Sequence, residues 1–309
     1  MFRFVPDGTK IRFMNGRFAG LIVSAVLSTA SVVLFFYPGL NLGLDFRGGV
    51  VLQIQTPQPA NFPDIRAALT KAGLADASLQ SFGNGGDGVL ISLESKQNAD
   101  QTQTAITEVE SALKAAAPGA KILSTQAIGA SVSAQLFGQG LEALGLSFVM
   151  ILAYIWFRFE WQFAAGAVVT LILDTTKTIG FMVITRIPFD LVTIAAILTI
   201  IGYSTNDKVV VYDRVRENLR KYKTMPLRDL VDQSINETLN RTLGTSGTVF
   251  LAALPLALFG GTALSGFAWI MLFGIVVGTS SSIFIAAPIL LFLGERGLRR
   301  NAAPVPSKP

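Results

Sequence analysis

The sequence predicts an α-helical polytopic membrane protein with six transmembrane helices and one α+β external domain inserted between the first and second. Three observations predict it. Of 309 residues, 51% are hydrophobic and only 15% charged. Several apolar stretches reach the roughly 20 residues that a spanning helix needs. Between the first two of them lies a segment of about a hundred residues of ordinary soluble composition.

The predicted spans are residues 18–37, 135–157, 161–184, 188–212, 243–261 and 265–294. The first has the basic flank and some small residues (Ser28, Thr29, Ala30, Ser31) of a signal peptide. Its apolar part is longer than the usual ~7–15 residues of a cleaved h-region and no small-x-small site follows, so an uncleaved span is expected. Counting Lys and Arg on short loops predicts cytoplasmic termini. Arg3, Lys10, Arg12 and Arg17 then lie inside, as do Arg158, the series Arg214, Arg216, Arg220, Lys221, Lys223, Arg228 and Arg241, and finally Arg296, Arg299, Arg300 and Lys308. The short outer loops keep only Arg186. The domain plan is therefore a cytoplasmic N-terminus (1–17), helix 1 (18–37), a periplasmic α+β domain (38–134), helices 2–4 (135–212), a basic amphipathic cytoplasmic loop (213–242), helices 5–6 (243–294) and a cytoplasmic tail (295–309). The formal net charge of +5 then reports orientation and attraction to membrane lipids, not nucleic-acid binding.

Within the external segment the pattern predicts a strand at 50–55 and a helix at 64–71 behind Pro59 and Pro63, then a strand at 78–82. A turn through Asn84, Gly85, Gly86, Asp87 and Gly88 leads to a strand at 89–93. Ala105, Ile106, Val109, Leu113 and Ala116 recur at helical spacing over 99–116, and a strand at 121–128 closes the segment. The order β-α-β-β-α-β is that of a ferredoxin-like domain. With no His and no Cys in the chain, it holds neither a disulfide nor a common zinc site. No nucleophile and base stand out, so it reads as a binding or mechanical module.

The spans carry charges that need a reason. Each charged side chain at a bilayer centre costs roughly 2.5–3.5 kcal/mol on insertion scales, which points to an ion pathway or a buried partner. Asp174 and Lys177 are spaced i, i+3 on one helix face, which permits an internal ion pair or a relay. Asp174 lies roughly 20 Å in from the cytoplasmic side at 1.5 Å per residue. Asp207 and Lys208 are expected nearer the cytoplasmic interface, with the Lys208 stem reaching toward headgroups. That leaves the two pairs without direct contact, bridged by waters on Thr175, Thr176, Thr178, Thr199, Ser204, Thr205 and Asn206. Without histidine a carboxylate must do any titration near neutral pH, and Asp207, beside Asn206 and behind Gly202, is the favoured group. Pro255, Pro288, Gly260, Gly261 and the Gly274/Gly278 pair suit close helix packing or hinging. In the basic loop, Leu227, Leu230, Val231, Ile235 and Leu239 form one apolar helix face, expected to lie at the membrane interface or to meet a channel protein. No nucleotide-binding loop or catalytic constellation appears, so no enzyme and no cofactor is expected.

Three blocks carry a resemblance. G-L-D-F-R-G-G at 43–49 (Gly43, Asp45, Phe46, Arg47, Gly48, Gly49) resembles the block with which SecD/SecF proteins begin their first external domain. The run at 202–220, with Gly202, Tyr203, Ser204, Asp207, Asp213 and Arg214, is similar to a fourth-span signature of that family. The run E-T-L-N-R-T-L-G-T-S-G-T at 237–248 is similar to the start of its fifth span. The family belongs with resistance-nodulation-division transporters, in which two six-span halves form one ion-driven machine. The resemblance implies that this chain supplies one half and SecD the other, in a bacterial inner membrane beside the SecYEG channel and its accessory membrane proteins. There the pair would use the transmembrane proton gradient to assist late steps of export of a translocating polypeptide. Asp207 matches the acid implicated in ion passage. Many relatives have Thr where this chain has Lys208, and His where it has Leu173; sodium coupling stays open beside proton coupling. Two alternatives stay open as well: half of a small-molecule or lipid exporter, and a non-conducting assembly factor of the translocon.

Overall fold

The computed structural model describes residues 6, 9–82, 86–93 and 99–293. Of the sequence expectations, the turn residues Asn84 and Gly85, the basic residues Arg3, Arg296, Arg299, Arg300 and Lys308, and the whole of the 295–309 tail lie outside them. Among the described residues six helices are long and apolar enough to cross a membrane.

A 3-10 turn, Phe13–Gly16, leads into α1, Arg17–Phe36. A short helix α2, Leu44–Arg47, opens the inserted domain. The domain then runs β1 (Gly49–Gln55), α3 (Phe62–Lys71), β2 (Ser78–Phe82), β3 (Gly88–Leu93), α4 (Ala99–Ala116) and β4 (Lys121–Ile128). These elements match the expected ones to within two residues at each end. The strands form one sheet in the order β2-β3-β1-β4 with every pairing antiparallel. Alternation buries Val50, Leu52 and Ile54 of β1 with Val89, Ile91 and Leu93 of β3. Ile65 and Leu69 of α3 and Val109 and Leu113 of α4 cover that face and complete a separate small core. Asp87 closes the end of the sheet: its carbonyl accepts from Thr56, and its carboxylate accepts from Gln55 at 2.9 Å. That bond holds the Asp87 carboxyl below the ordinary carboxylate range.

The bundle continues with α5 (Ala130–Arg158), α6 (Trp161–Thr185), α7 (Leu191–Lys221), α8 (Leu227–Phe259) and α9 (Gly261–Ser281). A single π turn, Ser282–Ala286, joins α9 to α10, Ala287–Phe292, so the sixth apolar stretch is one broken helix. Small residues let the helices approach closely, as membrane bundles require. Gly180 of α6 faces Ser31 of α1, and Gly274 and Gly278 of α9 face Ile200 and Ser204 of α7. A Cβ at Gly274 would overlap Ile200, whereas one at Gly145 would meet nothing within 4 Å. Gly274→Leu is therefore expected to destabilise the chain by about 1–3 kcal/mol, the usual cost of overpacking. Gly145→Leu should stay near wild type, and thermal unfolding in detergent compares the two.

One expectation is corrected here. Leu227, Leu230, Val231, Ile235 and Leu239 are all buried inside the chain instead of lying on an interface. The hydropathy signal fades at Tyr212, but α7 continues as helix to Lys221, and α8 begins at Leu227. The two helices thus leave the apolar bundle together, and the amphipathic face of α8 closes on Val215 and Leu219 of α7 and on Met14. In water, each such fully buried side chain is worth about 1.5–3 kcal/mol. The N-terminal segment straps this hairpin: Met14 N–H donates to Asp232 at 2.9 Å, Ile11 and Asn236 exchange two hydrogen bonds, and Arg228 donates to Asn15.

Candidate functional site

The two largest apolar clusters of the bundle centre on Ile197, Ile201 and Ile275 and on Phe163, Tyr212 and Ile283. Between them lies a polar layer contributed by α6, α7 and α9. Its centre is Asp174, which is 1% exposed. Asp174 Oδ2 accepts from Lys208 Nζ at 2.9 Å, from Ser204 Oγ at 2.9 Å and from Ser281 Oγ at 2.6 Å. Asp174 Oδ1 faces Lys177 Nζ at 3.5 Å. Lys208 spends its remaining donors on the carbonyl of Ser204, at 3.3 Å, and on the Ser204 hydroxyl. Lys177 and Lys208 are both buried.

The expected i, i+3 pair of Asp174 and Lys177 is therefore present, but the expected separation of the two charged pairs is not. Lys208 is buried against Asp174 and does not reach toward headgroups. The reason is helix register. Tyr212 packs on Phe163 and beside Gly166, whose added Cβ would meet the Tyr212 hydroxyl at 2.6 Å, so Tyr212 is level with Gly166 and not with the start of α6 at Trp161. From Gly166, Asp174 is about 12 Å along α6; from Tyr212, Lys208 is about 6 Å along α7, and the four-carbon lysine stem covers the remainder.

Asp207, next to Lys208 on α7, projects about 100° around the helix from it. It is buried, and the side chains of Ser282 and Thr242 stand beside its carboxyl. Yet the Ser282 hydroxyl donates to the Gly278 carbonyl at 2.9 Å. Among the described residues, neither Asp207 Oδ2 nor Thr242 Oγ1 has a hydrogen-bond partner. Such an orphaned buried group costs about 1–3 kcal/mol and calls for a reason. The π turn begins at Ser282, directly after Ser281, which donates to Asp174; π turns often mark functional sites. Ser281 and Ser282 were not among the sequence candidates, and Thr242 entered only as part of the 237–248 run. The signal for the two serines was available, since Thr279 to Ser282 form an unusual hydroxyl run in the most apolar of the later spans.

Other candidates take different places. Thr175, Thr176, Thr178 and Thr199 return their hydroxyls to carbonyls four residues back on their own helices. Asn206 is exposed on the outer face of α7, as is Gly202. Tyr203 donates to Ser246 at 2.7 Å, and Ser246 lies 2.7 Å from Thr279, tying α7, α8 and α9. Asp213 accepts both bonds of Arg158, and Arg214 bridges Glu217 and Glu237 at 2.6 Å each. The 237–248 run thus meets α7 through Glu237, Thr242 and Ser246 in succession.

The 43–49 block joins the inserted domain to the start of α7. Gly43 N–H donates to the Phe189 carbonyl at 2.8 Å, and a Cβ there would lie 2.9 Å from that of Asp190. Asp45 caps the helix by accepting from Leu191 N–H at 3.1 Å, its carbonyl accepts from Ser133 Oγ at 2.8 Å, and Phe46 is buried between Phe137 and Phe189. Gly48 and Gly49 have φ of 70° and 120°, a region costly for any residue with a Cβ, and they swing the chain from α2 into β1. Arg47 is exposed. Replacing Gly48 by Val is expected to cost about 1–3 kcal/mol, measurable as a lower unfolding midpoint.

Six apolar helices around a buried carboxylate–lysine layer, with an α+β domain pinned to the start of the helix that carries Lys208 and Asp207, define a multi-pass membrane protein with charge at its core. The family described as protein export membrane protein SecD/SecF, C-terminal, matches residues 108–296, and the SecD/SecF GG motif matches residues 33–60. The chain belongs to the SecD/SecF family, on its SecF side. It is 42% identical over 302 residues to the protein translocase subunit SecF of Cereibacter sphaeroides, covering 96% of this chain and 93% of that one. It is 40% identical over 304 residues to that of Rhodobacter capsulatus, covering 94% and 91%. A crystal structure of SecDF, a translocon-associated membrane protein from a Thermus species, superposes with a TM-score of 0.83 at 29% identity. That match covers 93% of this chain and 39% of the SecDF chain, so this chain spans about two fifths of that solved protein.

Proposed function

We propose that this chain is a SecF-type subunit that, with SecD, uses the transmembrane proton gradient to assist late steps of protein export through the Sec channel. The observation that carries the reading is the contrast between two buried carboxylates. Asp174 is saturated by two ammonium groups and two hydroxyls, while Asp207 is buried with one oxygen unpartnered. Asp174 is then the fixed anchor for Lys208 and Lys177, and Asp207 is the exchangeable site. With Asp207 ionised, its charge competes with Asp174 for the neighbouring Lys208; a proton taken up by Asp207 ends that competition. Any resulting shift of α7 reaches the inserted domain through Asp45 and Gly43, which hold the start of the helix.

The partner assignment rests on similarity to SecD/SecF proteins. The same reading takes the membrane as a bacterial inner membrane, both termini as cytoplasmic, and the inserted domain as periplasmic and ferredoxin-like, which its all-antiparallel β2-β3-β1-β4 order supports. The SecYEG channel, its accessory proteins and an emerging polypeptide are the partners this role requires. Pulse-chase of a secretory protein in cells with and without the chain tests the reading. The advantage conferred by the chain is expected to vanish when a protonophore collapses the gradient. An advantage that survives collapse would instead favour a non-conducting assembly factor.

A further inference from the structure

We infer that the end of the bundle away from the inserted domain carries a specific site for the phosphate of an anionic phospholipid headgroup. There a groove of about 810 Å³ has five basic lining residues, Arg158, Arg216, Arg220, Lys221 and Lys223. Its two acids are already engaged: Asp213 holds Arg158 through two bonds, and Glu217 accepts from Arg214. The nearest other acid, Glu160, stands 3.8 Å from Arg216 Nε, within reach of its charge but beyond a hydrogen bond. The Arg216 side chain is 30% exposed and Arg220 is half-buried, so both guanidinium groups remain open to the groove. Guanidinium groups match the oxygens of a phosphodiester, which they bind in a planar, bidentate fashion.

The level of the groove selects a lipid as the source of that phosphate. Trp156, Phe157 and Trp161 flank the α5–α6 turn and are 63%, 96% and 53% exposed. Exposed aromatic residues at a helix turn mark the headgroup level of a membrane. Arg158 and Glu160 lie in the same turn, and their contacts with Asp213 and Arg216 bring the basic run of α7 to that level. A lipid whose chains pass the aromatic ring thus presents its phosphate to the groove. The site is independent of the ion-coupling reading, since it shares no residue with the polar layer.

Tryptophan quenching in the purified full chain tests it. In a Trp269→Phe background, the emission of Trp156 and Trp161 is followed as brominated phosphatidylglycerol or brominated phosphatidylcholine is added in neutral detergent. Wild type is expected to be quenched preferentially by phosphatidylglycerol, and Arg216→Gln/Arg220→Gln to lose about thirtyfold in apparent affinity for it. Lys10→Gln/Arg12→Gln, which removes the same charge elsewhere, should retain the preference. Equal quenching of wild type by the two lipids overturns the proposal, and needs no variant to fold. Displacement of phosphatidylglycerol by equimolar inorganic phosphate overturns the lipid assignment in favour of a soluble anion, and displacement by an acidic peptide does so in favour of a protein partner.

Discussion

Replacing Asp207 by Asn should slow release of a secretory protein by roughly tenfold or more while the variant accumulates like wild type. One charge crossing 100 mV yields about 2.3 kcal/mol, and about 1.4 kcal/mol is a factor of ten, so loss of a coupled charge movement has an effect of this size. Stability should hold, because Asn has nearly the same shape and the carboxylate it replaces already leaves Oδ2 unpartnered. Pulse-chase of release, with quantified membrane levels of the variant, reads both properties. Slowed release accompanied by loss of the protein would point to a structural role instead.

Asp174→Asn should behave in the opposite way. It removes the anion shared by Lys208 and Lys177 and leaves two buried ammonium groups facing a neutral amide. Breaking a buried pair from one side costs about 3–5 kcal/mol, since the remaining charge is neither solvated nor paired. Low accumulation and a sharply lowered unfolding midpoint are expected. Adding Lys208→Met to Asp174→Asn should recover part of the loss by removing one uncompensated charge. If the double variant is no more stable than Asp174→Asn alone, the Asp174–Lys208 contact is not what holds the layer together.

The order of elements was legible from the sequence because it depends on local pattern. Alternation in β1 and β3, helical spacing of Val109 and Leu113, and apolar run length gave elements close to those observed. The motif blocks were legible too, and the folded chain supplies their reasons: positive φ at Gly48 and Gly49, a close approach at Gly43, a helix cap at Asp45. Depth and partnership were not. Hydropathy ends α7 at Tyr212, where the apolar run stops, but the helix continues to Lys221 on packing against α8. That error in register alone moved Lys208 away from Asp174 and α8 onto an interface. The hydroxyls of Ser281, Ser282 and Thr242 come from elements distant in sequence, and only the crossing of α6, α7, α8 and α9 brings them to the two carboxylates.

The central claim is that Asp207 is the exchangeable carboxylate and Asp174 the fixed one. Its most direct test is proton flux in proteoliposomes that contain the full chain together with a SecD protein, followed with a trapped pH-sensitive dye under an imposed potential. Wild type should acidify the lumen at a rate well above that of empty vesicles, and Asp207→Asn should fall to the background of those vesicles. Undiminished flux through Asp207→Asn would contradict the account and move the pathway away from Asp207.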